Sequence, residues 1–259
     1  MKRLINVFLI LTIYNIEEKG LKDLKLIVMA YRKEHVEFLN KYLNEDDIIA
    51  VYAGHAHLLR YVDKPQKMLV APSIERIMNS LEKLKDVKID YITYNPEIYP
   101  THNTPLEELE NQTKTVKKIR KICDSIGAKL SYTPDKNLLQ TEAPNIAPLV
   151  DMFGIQLQRY QRKKDFYLSS KNLINIIRKS NPYIPITIQL SMSPPVWKGE
   201  KLMRDKKGNK ILRPISVDSV IEQTEFLKNS ISGVAFLYKA NSYQNMKELV
   251  IKLRKKFTN

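Results

Sequence analysis

From about residue 26 onward the chain repeats one pattern: a short run rich in β-branched residues, then an amphipathic stretch. The runs fall at 26–31, 48–53, 68–71, 89–94, 130–133, 152–157, 186–190 and 234–238. Strand-sized apolar runs alternating with helix-sized amphipathic ones are the pattern of βα units in a parallel sheet. The helical stretch 107–126 is the plainest. Leu109, Val116, Ile119 and Ile122 would share one face, and Gly127 stands where a helix C-cap belongs. Stretches 170–179, 217–229 and 246–257 behave likewise, with Ser216 suited to the N-cap of the second of these. Eight strands, each followed by a helix, is the count of a closed α/β barrel, the (β/α)8 or TIM barrel. An open, doubly wound sheet usually carries a Gly-rich phosphate turn after its first strand, and none is present. The stretches after Ala53 and after Ala71 have the weakest helical pattern, so the barrel is expected to be irregular in its second and third βα units.

Length and composition agree with this. The 259 residues fit a single barrel, and 43% hydrophobic residues supply a sizeable core. One domain is expected over 21–259, preceded at 1–20 by a separate element. Met1-Lys2-Arg3 followed by an apolar run has the order of a secretory signal or uncleaved anchor. That order slightly favours a secreted or membrane-anchored protein over a cytoplasmic one. The alternative for the same residues is an extra strand or helix sealing the barrel. A single cysteine, Cys123, excludes an intramolecular disulfide and a cysteine-based zinc site. The net charge of +15 comes from clusters such as Lys114–Lys121 and Lys252–Lys256, spread over predicted helices and one long loop. These read as solvated helix faces with a loose attraction to anionic surfaces, and no specific nucleic-acid site is expected.

Chemistry in such barrels gathers at the C-terminal ends of the strands. Here those ends are polar. The second strand ends in Gly54-His55-Ala56-His57, the fourth in Asn95-Pro96-Glu97 and the fifth in Pro134-Asp135. The sixth runs into Gln156-Leu157-Gln158-Arg159-Tyr160, the seventh carries Gln189, and the eighth ends in Tyr238-Lys239. Unpaired polar groups are costly inside a strand, so their recurrence at one end predicts a polar cleft. The longest interruption, 191–214, holds Pro194-Pro195, Trp197 and a turn-like Asp205-Lys206-Lys207-Gly208-Asn209. Loops of that length are often functional.

The fourth run, IDYITYNPE, aligns without a gap to the signature D-G-x-D-x-D-x-E and resembles the fourth strand of family 18 chitinases. KLSYTPD, DMFGIQLQRYQ and ISGVAFLYKA resemble that family's fifth, sixth and last strands. The resemblance implies a glycoside-hydrolase type of barrel acting on an oligo- or polysaccharide, with Glu97 as proton donor and Asp90 on the first Asp. Asn95 stands where the family has the carboxylate that orients the substrate's N-acetyl group, Thr93 replaces the middle Asp and Tyr91 the glycine. An amide can bond an acetamide but cannot offset the positive charge of an oxazolinium-like intermediate.

A two-carboxylate mechanism would need a partner for Glu97, and Asp135 on the adjacent strand is the candidate. Tyr160, Trp197 and Tyr238 would offer aromatic faces to sugar rings, and Gln156, Gln158, Arg159 and Gln189 hydrogen bonds. Each has a plainer role open to it: Glu97 paired with a lysine, Asp135 capping the next helix, Trp197 packing its own loop. A barrel that kept the cleft and lost the chemistry is the second functional reading. A third is a metal-dependent amidohydrolase built on His55 and His57, since alternate residues of a strand point the same way. It lacks the further histidines and aspartate that such a site requires, so neither metal nor cofactor is expected.

Overall fold

The computed structural model describes residues 24–97, 104–199 and 201–258. The strands are β1 (Lys25–Met29), β2 (Ile48–Tyr52), β3 (Gln66–Ala71), β4 (Tyr91–Tyr94), β5 (Lys129–Tyr132), β6 (Met152–Gln156), β7 (Ile186–Ser191), β8 (Trp197–Lys198), β9 (Lys201–Leu202) and β10 (Gly233–Leu237). The helices are α1 (Lys33–Tyr42), α2 (Ile74–Lys83), α3 (Leu106–Glu110), α4 (Gln112–Ile126), α5 (Lys136–Ile146), α6 (Phe166–Ser180), α7 (Val217–Leu227) and α8 (Tyr243–Thr258). Eight strands close into a parallel barrel in the order β1-β10-β7-β6-β5-β4-β3-β2, while β8 and β9 form a small antiparallel pair in the loop after β7. The chain is therefore a (β/α)8 barrel, and all eight expected strands are present. The separate element expected at 1–20 lies outside the described residues. No helix among the described residues is long and apolar enough to cross a membrane.

The irregularity expected in two units occurs in one. After β2 the chain forms a 3-10 helix, Ala53–Tyr61, interrupted at His55 (φ −122°, ψ 19°). After β3 a regular α2 follows, because the Ser73 side chain accepts the Arg76 N–H and caps it. The long helix expected over 107–126 is broken at Asn111 (φ −124°, ψ 50°). There the side-chain amides of Asn111 and Gln112 donate to the carbonyls of Glu107 (3.1 Å) and Glu108 (2.6 Å), competing with the backbone ladder. The buried stripe of α4 is consequently Gln112, Thr115, Val116, Ile119 and Cys123, with Leu109 and Ile122 only half-buried. Gly127 ends α4 in the left-handed conformation (φ 70°), as its position predicts.

Strand parity divides the core. Leu26, Val28, Ile49, Val51, Leu69 and Ile92 face outward into the layer shared with the helices. Ile27, Met29, Ile48, Ala50, Met68, Val70, Tyr91 and Met152 fill the barrel's interior. A space of only ≈30 Å³ remains there, so the interior is packed core and not a pore. At the N-terminal end, buried Asp47 accepts the N–H groups of Leu26 (2.9 Å) and Asn44 (2.7 Å) and pairs with Arg254, fixing α8 beneath β1. Asp90 lies at the same end. It accepts the Lys67 N–H (2.9 Å) and pairs with Lys88 (3.6 Å), so it ties β3 to β4 far from the strand ends where chemistry gathers.

At the opposite end, His35 of α1 stacks on Tyr243 of α8 (centroids 4.2 Å apart). Its Nδ1 accepts from the Tyr238 hydroxyl (2.6 Å) and from the Tyr31 N–H (3.4 Å). With Nδ1 accepting twice, the neutral ring carries its proton on Nε2.

Two measurements follow from this packing. A Cβ at Gly233 would stand 2.7 Å from the Lys25 carbonyl oxygen, whereas one at Gly54 would meet nothing within 4 Å. Gly233→Ala is expected to lose about 1–3 kcal/mol in urea unfolding, and Gly54→Ala to stay within about 0.5 kcal/mol. Burial holds His35 below its usual pKa. Between that lowered value and about 6.5 the unfolded chain binds a proton that the native state refuses. The stability contributed by neutral His35 is complete above about pH 6.5 and drains as the pH falls. Burial moves Asp47 and Glu108 the other way, above the ordinary carboxylate range. The readout is therefore a difference: between pH 7 and pH 5 the wild-type melting temperature should fall more than that of His35→Asn, which keeps an acceptor and cannot titrate. Parallel curves would show that His35 is not the titrating group.

Candidate active site

The inward parity of each strand carries through to the C-terminal rim. On β4 the inward row is Tyr91, Thr93 and Asn95, and Glu97 continues it two residues on. On β6 it is Met152, Gly154 and Gln156; on β7, Thr187, Gln189 and Ser191. Gly154 is required where it stands, since a Cβ would fall 2.2 Å from Thr133 Oγ1. Above the packed interior these rows open into a cleft of ≈500 Å³. A depression of ≈590 Å³ on the outer surface, along Lys114, Lys117, Lys118 and Lys121, lies on the helices and away from the strand ends.

The floor and one wall of the cleft are a chain of amides. Asn95 Nδ2 donates to Glu97 Oε1 (3.3 Å), and Gln156 Nε2 to Asn95 Oδ1 (3.3 Å) and the Thr133 carbonyl (3.3 Å). Gln158 Nε2 then donates to both Gln156 Oε1 and Gln189 Oε1, each at 3.2 Å. The Glu97 N–H donates to Thr104 Oγ1 (3.2 Å), which holds the backbone beside the carboxyl group. Gln158 Oε1 is buried without a hydrogen-bond partner among the described residues, and so is Trp197 Nε1. Buried polar atoms left this way are costly.

Three tyrosines complete the cleft. Burial pushes the Tyr31 hydroxyl up to about 12. It raises Tyr52 further, with Tyr31 and the Glu97 carboxylate adding to the shift. Tyr238 is raised chiefly by burial as well. All three remain neutral donors at any physiological pH. The hydroxyl of Tyr238 is already committed to His35.

The loop after β7 forms a second wall. β8 and β9 pair, Pro195 bridges Leu212 and Arg204 bridges Lys210, with Gly208 (φ 81°) turning the hairpin. Pro195, Trp197, Leu202, Lys210 and Leu212 face the cleft from it. Trp197 does more than pack its loop, for Lys163 Nζ lies 4.7 Å and the Arg159 guanidinium 6.0 Å from its ring centroids.

Of the residues singled out from the sequence, Glu97, Asp135, Gln156, Gln158, Arg159, Gln189, Trp197 and Tyr238 line this one cleft. Asn95 sits immediately beneath it, buried and bonded to Glu97 and Gln156. Tyr160 is buried behind the rim under Lys136 and Lys163. Asp90 is at the far end of the barrel, because it precedes β4 and has the outward parity. Asp135 also caps α5, its Oδ1 accepting the N–H groups of Asn137 (2.9 Å) and Leu138 (3.2 Å). His55 and His57 lie on the 3-10 helix beyond β2 and are exposed, so the strand alternation that would pair them on one face does not operate. His102 lies outside the described residues, and among those described no group of three or more His, Cys, Asp or Glu is placed to hold a metal. Cys123 is buried on α4 and its thiol is pushed up to about 12, chiefly by desolvation, which makes it inert. The lining also includes Tyr31, Tyr52, Lys136 and Lys210, which the sequence did not single out, together with Ser191 and the Lys239 that ends the eighth run. Parity alone would have found Tyr31 and Tyr52.

No protein-family model matches the chain, and no curated protein matches it. Solved structures do. The glycoside hydrolase family 17 β-1,3-glucanosyltransferase from Rhizomucor miehei superposes with a TM-score of 0.53 at 11% identity, over 83% of this chain and 87% of that one. An active-site mutant of that enzyme is in complex with laminaritriose. The group IV chitinase of Ostrinia furnacalis gives 0.56 at 8% identity, over 92% of this chain and 100% of the other. The 3-hexulose-6-phosphate synthase from Salmonella typhimurium gives 0.52 at 13%, over 91% and 99%. The chain thus shares its fold with glycoside hydrolases and with barrels of other chemistry.

Proposed function

We propose that this barrel processes a carbohydrate in the cleft at its C-terminal rim, with Glu97 as the proton donor. One observation carries the reading: Glu97 opens into the same ≈500 Å³ cleft as Asp135, Trp197 and the glutamine row. Bond cleavage would begin with Glu97 protonating the glycosidic oxygen as the bond to the anomeric carbon breaks. Asp135, the other carboxylate of the cleft, would either attack the anomeric carbon or take a proton from the water that attacks it, while the protonated oxygen departs as the alcohol of the leaving sugar. Asp135 Oδ1 is held by two backbone N–H groups, so its position is fixed by the α5 cap. Asn95 positions Glu97 and, being neutral, leaves the charge stabilisation to Asp135. Trp197 would stack on a sugar ring, while Gln158, Gln189 and Tyr52 would bond its hydroxyls. The glycoside hydrolases that share the fold, one of them in complex with laminaritriose, agree with this reading.

A sugar-binding barrel without turnover is the second reading. It is favoured by Asn95 in the place of a carboxylate and by the engagement of Asp135 in a helix cap.

Purified protein incubated with soluble oligosaccharides, N-acetylated ones included, separates the two by mass spectrometry. Glu97→Gln is expected to reduce turnover about 10²–10⁴-fold while leaving ligand affinity within about twofold, since the shape is kept and the proton is not. An unchanged rate would remove Glu97 from the mechanism, and retention without cleavage by the wild type would favour the binding barrel. In either case Trp197→Ala should weaken binding by about 0.5–1.5 kcal/mol through lost stacking.

A further inference from the structure

The cleft lining holds more basic groups than acidic ones. Glu97 and Asp135 follow the neighbouring strands β4 and β5. Lys239 follows β10, Lys210 comes from the hairpin after β7, and Arg159 follows β6. β10, β7 and β6 are consecutive in the barrel, and β10 stands directly across the ring from β4. With Lys136, the lining holds four basic side chains against two carboxylates. Any pairing among these groups leaves their sum positive. Lys163, against the face of Trp197, adds to the same side. The amides and tyrosines already serve sugar hydroxyls, and neither they nor an aromatic face calls for surplus cations. A ligand with negative charge of its own matches that surplus.

We propose that the carbohydrate taken by this cleft is anionic, carrying a carboxylate or a sulfate or phosphate ester. Its charged groups lie against Lys239 and Lys210, and the bond presented to Glu97 lies on the opposite side. This inference rests on the carbohydrate reading above and narrows its substrate class. The overall charge of +15 would draw such a ligand in, while Lys239, across the ring from Glu97, and Lys210, from the hairpin after the next strand, would orient it.

Isothermal titration at physiological salt tests it with four probes of similar length: oligogalacturonate, a sulfated chondroitin oligosaccharide, neutral laminari- or chito-oligosaccharide, and single-stranded DNA. At least one acidic oligosaccharide should bind about tenfold or more tightly than the neutral ones. Which of the two acidic probes does so distinguishes a carboxylate from an ester. Lys239→Met and Lys210→Met should each weaken the acidic ligand about tenfold and leave neutral sugars nearly unaffected. Both lysines are exposed, so the fold should tolerate the changes. Neutral sugars binding as tightly as acidic ones would overturn the anionic assignment and leave the carbohydrate reading standing. DNA binding as tightly as the acidic sugars, with the same loss in both lysine variants, would also overturn it, as general polyanion attraction. Failure of every sugar to bind would remove both.

Discussion

At Gly233 the last barrel strand meets the first so closely that any side chain would press on the Lys25 carbonyl oxygen, 2.7 Å from where a Cβ would stand. Around that contact β1 and β10 pair in register from Lys25↔Gly233 to Val28↔Phe236. Closing the ring removes both sheet edges and fixes the level of every strand against its neighbours. Once the levels are set, parity determines which side chains enter the interior, and strand direction brings all eight C-terminal ends to one rim. The cleft is a consequence of closure. No segment builds it alone, and a slip of one residue at the seam would turn β1's interior row outward.

Inside the ring the two halves differ. Above Lys25 and Gln66, which bond each other at the N-terminal end (3.1 Å), the interior side chains of β1, β2 and β3 are Ile27, Met29, Ile48, Ala50, Met68 and Val70, all apolar. Those of β4 to β7 include Thr93, Asn95, Ser131, Thr133, Gln156, Thr187 and Gln189. The apolar half excludes water and gives the barrel much of its burial, at about 25 cal/mol per Å² of surface removed from solvent. The amides of the polar half bond one another, Gln156 to Asn95 and to the Thr133 carbonyl, Gln158 to Gln156 and Gln189, whereas Thr93 Oγ1 is buried without a partner among the described residues. That asymmetry explains why the carboxylates and amides emerge on one side of the rim.

Much of this was readable in the chain. The eight runs, the cap at Gly127 and the N-cap at Ser216 all depend on local chemistry, which sequence expresses directly. Residues at strand ends were readable too, because alternation places Asn95 and Glu97, or Gln156 and Gln158, on one row. Tyr31 and Tyr52 obey the same alternation at the ends of β1 and β2, but as aromatics they carry no polar signal at a strand's end. Asp90 misled for a related reason. A motif aligned by spacing says nothing of level along the barrel, and Asp90 lies one residue before β4 begins. The gathering of cations was hidden more deeply. Lys210, Lys239 and Arg159 are far apart in the chain and become neighbours only through the order β10-β7-β6. The break at Asn111 was invisible because two side-chain amides competing for backbone carbonyls leave the apolar period intact.

The amide row bears on what Glu97 can do. Asn95, Gln156, Gln158 and Gln189 link the Glu97 carboxyl group to the floor of β7 by hydrogen bonds of 3.2–3.3 Å. Neutral amides neither ionise nor pass a net proton at ordinary pH. A proton leaving or reaching Glu97 therefore has to travel through the cleft, from ligand or solvent, and not through the barrel. What the row contributes is position. A carboxyl group held from below by Asn95 Nδ2 and from behind by its own N–H on Thr104 has little freedom to swing out of line. Such restraint, provided before any ligand arrives, is what a general acid needs, because a bound geometry that is already reactive avoids reorganisation during the step. Restraint of this kind lowers the cost of binding a ligand as well as of reacting with it, so the construction beneath Glu97 serves both readings proposed above.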